Sequence, residues 1–301
     1  MNELVQEMLS SDVIKELVRF DGALYVLLAF ILLYVAKLLY DLFTPYSLNE
    51  QLTEKDNKAV AVAFSGYMLG ILIIILGVFS SDGYNAVAEN NYIVIFQDML
   101  STLIWGIFGI LLLNLSRVIN DKFILSHFSN TKELITDRNI GTGAVIWGTY
   151  IGAALIIRAA IGGEAVNWLV DIVSALIYFV LAQLAFIIYG WIYQWMSRFD
   201  LHAEIEKDNI AAGLAFGLSL TAMAIILSGY ITIHDSLTGL LVWFVIGLFL
   251  LVVSRYLVDK LILPGSLLDE EIAGDQNWGA ALVEGSVALG MAAVIVASLL
   301  G

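Results

Sequence analysis

Glu284 is the residue whose chemistry asks most insistently for an explanation. It stands inside the apolar stretch 278–300, under two helical turns from its start. A carboxylate at that depth in a bilayer is costly unless it is paired, protonated or wetted. One reading is a proton- or cation-binding group in an inner-leaflet cavity. The other is a structural partner for Arg255 or Arg117, which end the apolar stretches 237–257 and 98–119 and are expected at a similar depth. Asn114 and Gln183 are polar groups within the stretches 98–119 and 167–192. They would either line a path or bridge neighbouring helices, a contact worth about 0.6 kcal/mol. Arg158 and Asp171 flank a short turn at matching depth. They are expected to form a structural ion pair, with Glu164 as a competing partner, and such pairs are weak pointers to function.

A second set of residues is conspicuous because it recurs. Asp56-Asn57 and Asp208-Asn209 each precede an apolar stretch, as do Asp137-x-Asn139 and Asp275-x-Asn277. Asn and Asp side chains accept hydrogen bonds from the free N–H groups of a first helical turn, so helix capping is the expected role. Glu-Lys recurs upstream, at Glu54-Lys55 and Glu206-Lys207, which capping does not require and which leaves a ligand or partner site on that rim open.

Signatures of soluble enzymes are absent. No Gly-rich phosphate loop, His-Glu-x-x-His or Gly-x-Ser-x-Gly occurs. The chain has no cysteine, which removes thiolate metal sites and cysteine nucleophiles. His127, His202 and His234 lie in separate connections and are expected at the surface. The acidic run Asp269-Glu270-Glu271 with Asp275 lacks a glycine-punctuated calcium loop and reads as solvated. The expectation is no catalytic residue, no metal and no cofactor. A net charge of −14 with no basic stripe excludes nucleic acid.

What positions these residues is a bundle of membrane helices. Hydrophobic residues make up 60% of the 301, charged residues 14%, and mean hydropathy is +0.89, more apolar surface than a water-soluble fold can hide. Eight stretches are long enough to cross about 30 Å of hydrocarbon: 22–43, 58–80, 98–119, 141–162, 167–192, 209–231, 237–257 and 278–300. Residues 1–21 carry apolar residues at helical spacing among Glu3, Glu7, Asp12, Glu16 and Asp21, which predicts an amphipathic helix on the membrane surface or a cap on the bundle.

The chain is also an internal duplication. Glu54-Lys55-Asp56-Asn57 matches Glu206-Lys207-Asp208-Asn209, followed by Ala59/Ala211, Ala63/Ala215, Phe64/Phe216 and Gly77/Gly229. Ser116-Arg117 and Asp121-Lys122 match Ser254-Arg255 and Asp259-Lys260. The predicted fold is therefore all-α and membrane-integral, with repeat 1 at 22–163 and repeat 2 at 164–301, four helices each. An even number of spans makes the repeats parallel, and a site between them is expected. Gly148/Gly152 and Ser286/Gly290 occupy equivalent positions, so the fourth and eighth helices are expected to pack alike. All lysines and arginines except Lys15, Arg19 and Arg158 fall on one set of connections, which predicts that side to be cytoplasmic and both termini outside.

Asp-Asn followed by Ala-x-x-x-Ala-Phe and a late glycine, carried by Asp56 to Gly77 and again by Asp208 to Gly229, resembles the YjfL-type bacterial inner-membrane family, domain of unknown function 350. The resemblance implies a bacterial inner-membrane location, a fused form of a single four-helix unit, and a setting near envelope stress and polyamine chemistry. It supplies no catalytic residues. The expectation is a transporter- or channel-like protein with Glu284, Asn114 and Gln183 as polar lining. The alternative is a structural or adaptor component that binds a cytoplasmic partner protein. Beyond lipid and such a partner, the sequence leaves oligomeric state open.

Overall fold

The computed structural model describes residues 20–79, 92–162, 167–234 and 236–300. They hold eight long helices: α1 (Phe20–Phe43), α2 (Lys58–Phe79), α3 (Tyr92–Phe123), α4 (Ile140–Ile161), α5 (Trp168–Met196), α6 (Ile210–Ile233), α7 (Leu237–Leu257) and α8 (Trp278–Leu300). All eight are long and apolar enough to cross a membrane. The helices α3 and α5 outrun the apolar stretches that announced them. Their polar ends are satisfied in helical form: Asn120 bonds Ser116 and Gln183, and Gln194 accepts from the backbone of Leu201. All but the last two residues of the expected N-terminal amphipathic segment lie outside the described residues, as do 80–91 and Glu164.

Lipid gives helices no hydrophobic reason to associate, so close packing depends on small residues that let backbones approach. The largest interfaces join α2 to α4, α4 to α6, and α6 to α8, so these four stand in a row in sequence order. The odd-numbered helices flank the row. A Cβ on Gly148 would fall 2.3 Å from the carbonyl oxygen of Gly217, and one on Gly213 would fall 2.1 Å from that of Gly141. The repeats therefore meet backbone to backbone along α4 and α6. This closes the place where a site between repeats was expected.

Within each repeat the contacts are copied. Gly77 of α2 lies under Arg158 of α4, as Gly229 of α6 lies under Val296 of α8; Gly109 receives Ile74, as Gly247 receives Ile226. One pair has exchanged sizes: Gly66 receives Trp147 in repeat 1, whereas Gly285 receives Leu218 in repeat 2. The pairing of a large residue with glycine is kept at the contact while the larger residue changes sides, from Trp147 of α4 to the smaller Leu218 of α6.

The expectation that α4 and α8 pack alike holds on the face that each turns to α2 or α6 and is overturned on the face carrying Gly148/Gly152 and Ser286/Gly290. Gly148 and Gly152 are buried against α6 and α5, whereas Ser286 and Gly290 are exposed and a Cβ on Gly290 would meet nothing. The reason is position in the row, since α4 has a neighbour on both sides and α8 ends it.

Candidate functional site

Glu284 lies in the second turn of α8 and is 2% exposed. Its Oε1 is 3.2 Å from Nε of Arg255, in the last turn of α7, and accepts a hydrogen bond from the Tyr193 hydroxyl of α5 at 3.2 Å. Arg255 stands with its guanidinium carbon 4.8 Å from the centre of the Tyr193 ring, donates to Asp269 Oδ1 at 2.7 Å, and reaches Ser197 Oγ at 3.3 Å. A cation over an aromatic face between two carboxylates is well held in a low dielectric, and it compensates the Glu284 charge through Oε1. Beside it is a small cavity lined among others by Tyr189, Ser219, Ser254 and Ala288, with room for about one water. Glu284 Oε2 and Ser254 Oγ have no protein partner among the described residues.

This cluster lies wholly inside repeat 2. Arg117, the counterpart of Arg255 in repeat 1, stands over the Tyr40 ring at 5.3 Å and is 3.8 Å from Asp121. Ile146 occupies the place of Glu284, and the surroundings are phenolic: Tyr40, Tyr67 and Tyr150 pack together. Asn114 joins this second cluster, donating to the Tyr67 hydroxyl at 2.9 Å. Gln183 is elsewhere again. It is buried where α5 meets α3, accepts from Ser116 and donates to Asn120, and so bridges the repeats. The three expected lining residues thus occupy three different places, and the common lining foreseen for them does not form. Arg158 is exposed near the end of α4 with its stem over Gly77, and Asp171 lies in the first turn of α5.

The recurring asparagines build the most regular feature of the molecule. Asn57, Asn139, Asn209 and Asn277 each accept from backbone N–H groups in the first turn of α2, α4, α6 and α8. Each side-chain amide donates back to a residue in the preceding connection: Gln51, Glu133, Glu204 and Glu271 in turn. The residue before each asparagine, Asp56, Arg138, Asp208 or Gln276, is in the left-handed region, with φ from 46° to 62°. That conformation is uncommon for side-chain-bearing residues and turns the connection sharply into the helix.

The same amides link one unit to the next. Asn57 donates to the Leu134 carbonyl at 2.8 Å, Asn139 to that of Ile205 at 2.6 Å, and Asn209 to that of Ile272 at 2.9 Å. Asp208 adds a step between repeats, its Oδ1 accepting from the backbone N–H groups of Ile140 and Gly141, the start of α4. The exposed aspartates have other uses: Asp137 pairs with Lys132 at 2.9 Å, which holds its carboxyl below the usual range. Burial pushes the Glu133 carboxyl up, against the lowering effect of Asn139. Burial also acts to raise Glu204, but hydrogen bonds from Lys207 and Asn209 outweigh it and hold that carboxyl down.

One residue of these clusters was missed in the sequence, Tyr193, and two were misread, Asp269 as part of a solvated acidic run and His202 as a surface group, although Asp269 is largely buried against Arg255. Tyr193 completes the Arg255 cluster from α5, 91 residues from Glu284, and Asp269 completes it from the connection before α8. His202 is buried instead of at the surface. Its Nε2 is 2.8 Å from the Ile124 carbonyl and its ring lies 4.1 Å from that of His127. The signal for Tyr193 was its match to Tyr40 in the repeat; His202 carried none.

Comparison with known proteins agrees with the duplicated architecture. The chain is 24% identical to the UPF0719 transmembrane protein YshE of Bacillus subtilis (strain 168) over 132 residues, which is 44% of this chain and 97% of that relative. It is 22% identical to a UPF0719 transmembrane protein of Aquifex aeolicus (strain VF5) over 248 residues, 80% of this chain and 85% of that protein. No solved structure matches it significantly. The profile described as Domain of Unknown Function (DUF350) matches twice, over residues 8–161 and 167–299. This multi-pass membrane protein, with one profile match for each four-helix repeat, therefore belongs to the DUF350 family.

Proposed function

We propose that the protein is a structural scaffold of the bacterial inner membrane that presents its asparagine rim to a peripheral partner protein on the cytoplasmic side, and that it is not an enzyme. The reading is carried by one observation: the seam between the repeats, where a transport site would be expected, is closed by main-chain contact at Gly148–Gly217 and Gly141–Gly213. It is supported by the ion pair of Glu284 with Arg255 and by the ordered turns that hold the rim. The bias of lysine and arginine toward the rim supports a cytoplasmic rim with both termini outside.

A second reading, proton or cation passage through repeat 2, is favoured by the free Oε2 of Glu284 beside the small cavity. Proteoliposomes separate the two. The scaffold reading expects no proton or monovalent cation flux above that of empty vesicles. A wild-type flux abolished by Glu284→Gln would overturn it. Its partner arm is tested in cells with Glu54, Glu206 and Asp275 reversed to lysine, exposed positions whose side chains the cap network does not use. A specific peripheral protein should leave the membrane fraction in this variant and in the deletion strain, and return with the wild-type gene. No change in any peripheral protein would count against the scaffold role.

A further inference from the structure

The relay on the rim has a direction and two unused ends. Each asparagine amide reaches the carbonyl that follows the acidic or amide residue of the next unit: Asn57 to Leu134, Asn139 to Ile205, Asn209 to Ile272. The last amide, on Asn277, donates to Glu271 of its own unit and is exposed. The first carbonyl of the series is that of Leu52, next to Gln51. The inter-repeat step is open in the same way. Asp208 caps the start of α4. Its repeat counterpart, Asp56, keeps the same left-handed backbone and is exposed, with no neighbouring helix start to cap among the described residues.

The helix faces tell the same story. The face of α6 that meets α4 carries Gly213, Gly217, Thr221, Ala224 and Ser228, all buried; the equivalent face of α2, Ala61, Ser65, Leu69, Leu72 and Leu76, is exposed. At the other end, α8 exposes Gly279, Ser286 and Gly290 where α4 buries Gly141, Gly148 and Gly152. Transferring the α4–α6 register puts Ser286 against Ser65, and Gly290 against Leu72. Large opposite small is the exchange already made at Gly66–Trp147 and Leu218–Gly285. The same two faces are exposed at the ends of the chain, with Ala61, Ser65 and Ser286 where the α4–α6 contact has Gly213, Gly217 and Gly148, so an end-to-end contact in this register stands wider by about one side-chain layer.

We infer that the protein associates head to tail with further copies of itself, α8 of one copy against α2 of the next, with Asp56 capping the partner copy's α8 and Asn277 reaching the partner copy's Leu52 carbonyl. The contact continues the α4–α6 step, so it is heterologous and generates a ring if the rotation closes and a filament in the membrane plane if it does not. The Bacillus subtilis relative, covered over 97% of its length by 132 residues, has about one repeat and so lacks even the internal copy of this contact.

The absence of cysteine makes the test direct. Ser65→Cys and Ser286→Cys are introduced singly and together in the full chain and oxidised in native membranes. The double variant should give a ladder of dimers and higher multimers. Each single variant should stay monomeric, and membranes co-expressing the two singles should give dimers only. Disulfide dimers from either single variant, which would mean a symmetric contact, or monomers alone from the double variant, would overturn the inference. Asp56→Ala in the double-cysteine background should lower ladder yield about five- to tenfold, the loss of one helix cap. Gly290→Trp, which has open space in the single chain, should abolish the ladder while leaving the melting temperature of the detergent-dispersed monomer unchanged. A full ladder with Gly290→Trp would place the contact elsewhere and overturn the assignment.

Discussion

Arg255 has two carboxylate partners, Asp269 and Glu284, whereas Glu284 has one cation. This inequality predicts an asymmetric response. Arg255→Met strands a buried carboxylate and should cost about 3–5 kcal/mol. Glu284→Gln leaves the arginine its bond to Asp269 and should cost less, and the double substitution should recover part of the Arg255→Met loss. Thermal unfolding in detergent across the four proteins gives the coupling. His202 makes a second prediction. Burial holds its pKa below the usual 6.5, so the folded protein binds that proton less readily than the unfolded chain. Its contribution is complete above pH 6.5 and is lost as pH falls below that value. The melting temperature should therefore drop between pH 7 and pH 5.5, and by less in His202→Gln. Depth alone pointed to Arg255 and Arg117 as partners for Glu284, because charged residues at helix ends can be ranked along the bilayer normal. Rotation about each helix decides between them, and hydropathy contains no rotation. Asn114 and Gln183 were misplaced as a shared lining for that reason.

The elements of this fold are selected by contacts rather than by their own sequences. Gly148 and Gly290 stand in equivalent strings of small residues, yet one is locked to a main chain and the other faces open space. Gly148→Ala should destabilise the chain by about 1–3 kcal/mol through overpacking against backbone that cannot yield. Gly290→Ala should leave monomer stability within error, and the difference between the two melting curves measures the asymmetry. Asn139→Ala should cost more than the usual cap, at about 1–3 kcal/mol, because it also removes a partner from buried Glu133 and the link to Ile205. Cap residues were legible because Asp and Asn before an apolar run have a local purpose. Their second role, tying each unit to the next, was not, since it depends on a carbonyl more than sixty residues away.

At the scale of the whole molecule, the described residues form a row of four central helices, flanked by the other four long helices and tied along one rim. Eight spans and a parallel duplication were legible because hydropathy and repeat spacing are properties of the chain itself. The order of the row was not, because a duplication gives the same residues to an inner helix and an end helix, and only assembly distinguishes α4 from α8. The central claim is that this row is packed shut around a paired Glu284 rather than hollowed for passage. Ala288, one turn farther along α8 than Glu284 and beside the small cavity, reports on it most directly. In the cysteine-free chain, Ala288→Cys should react with a membrane-impermeant thiol reagent at least about a hundredfold more slowly than Asp275→Cys on the exposed rim, the margin of an opening free energy near 3 kcal/mol. Labelling of Ala288→Cys at the rim rate, from both faces of the membrane, would mean that water traverses repeat 2 and would contradict the account.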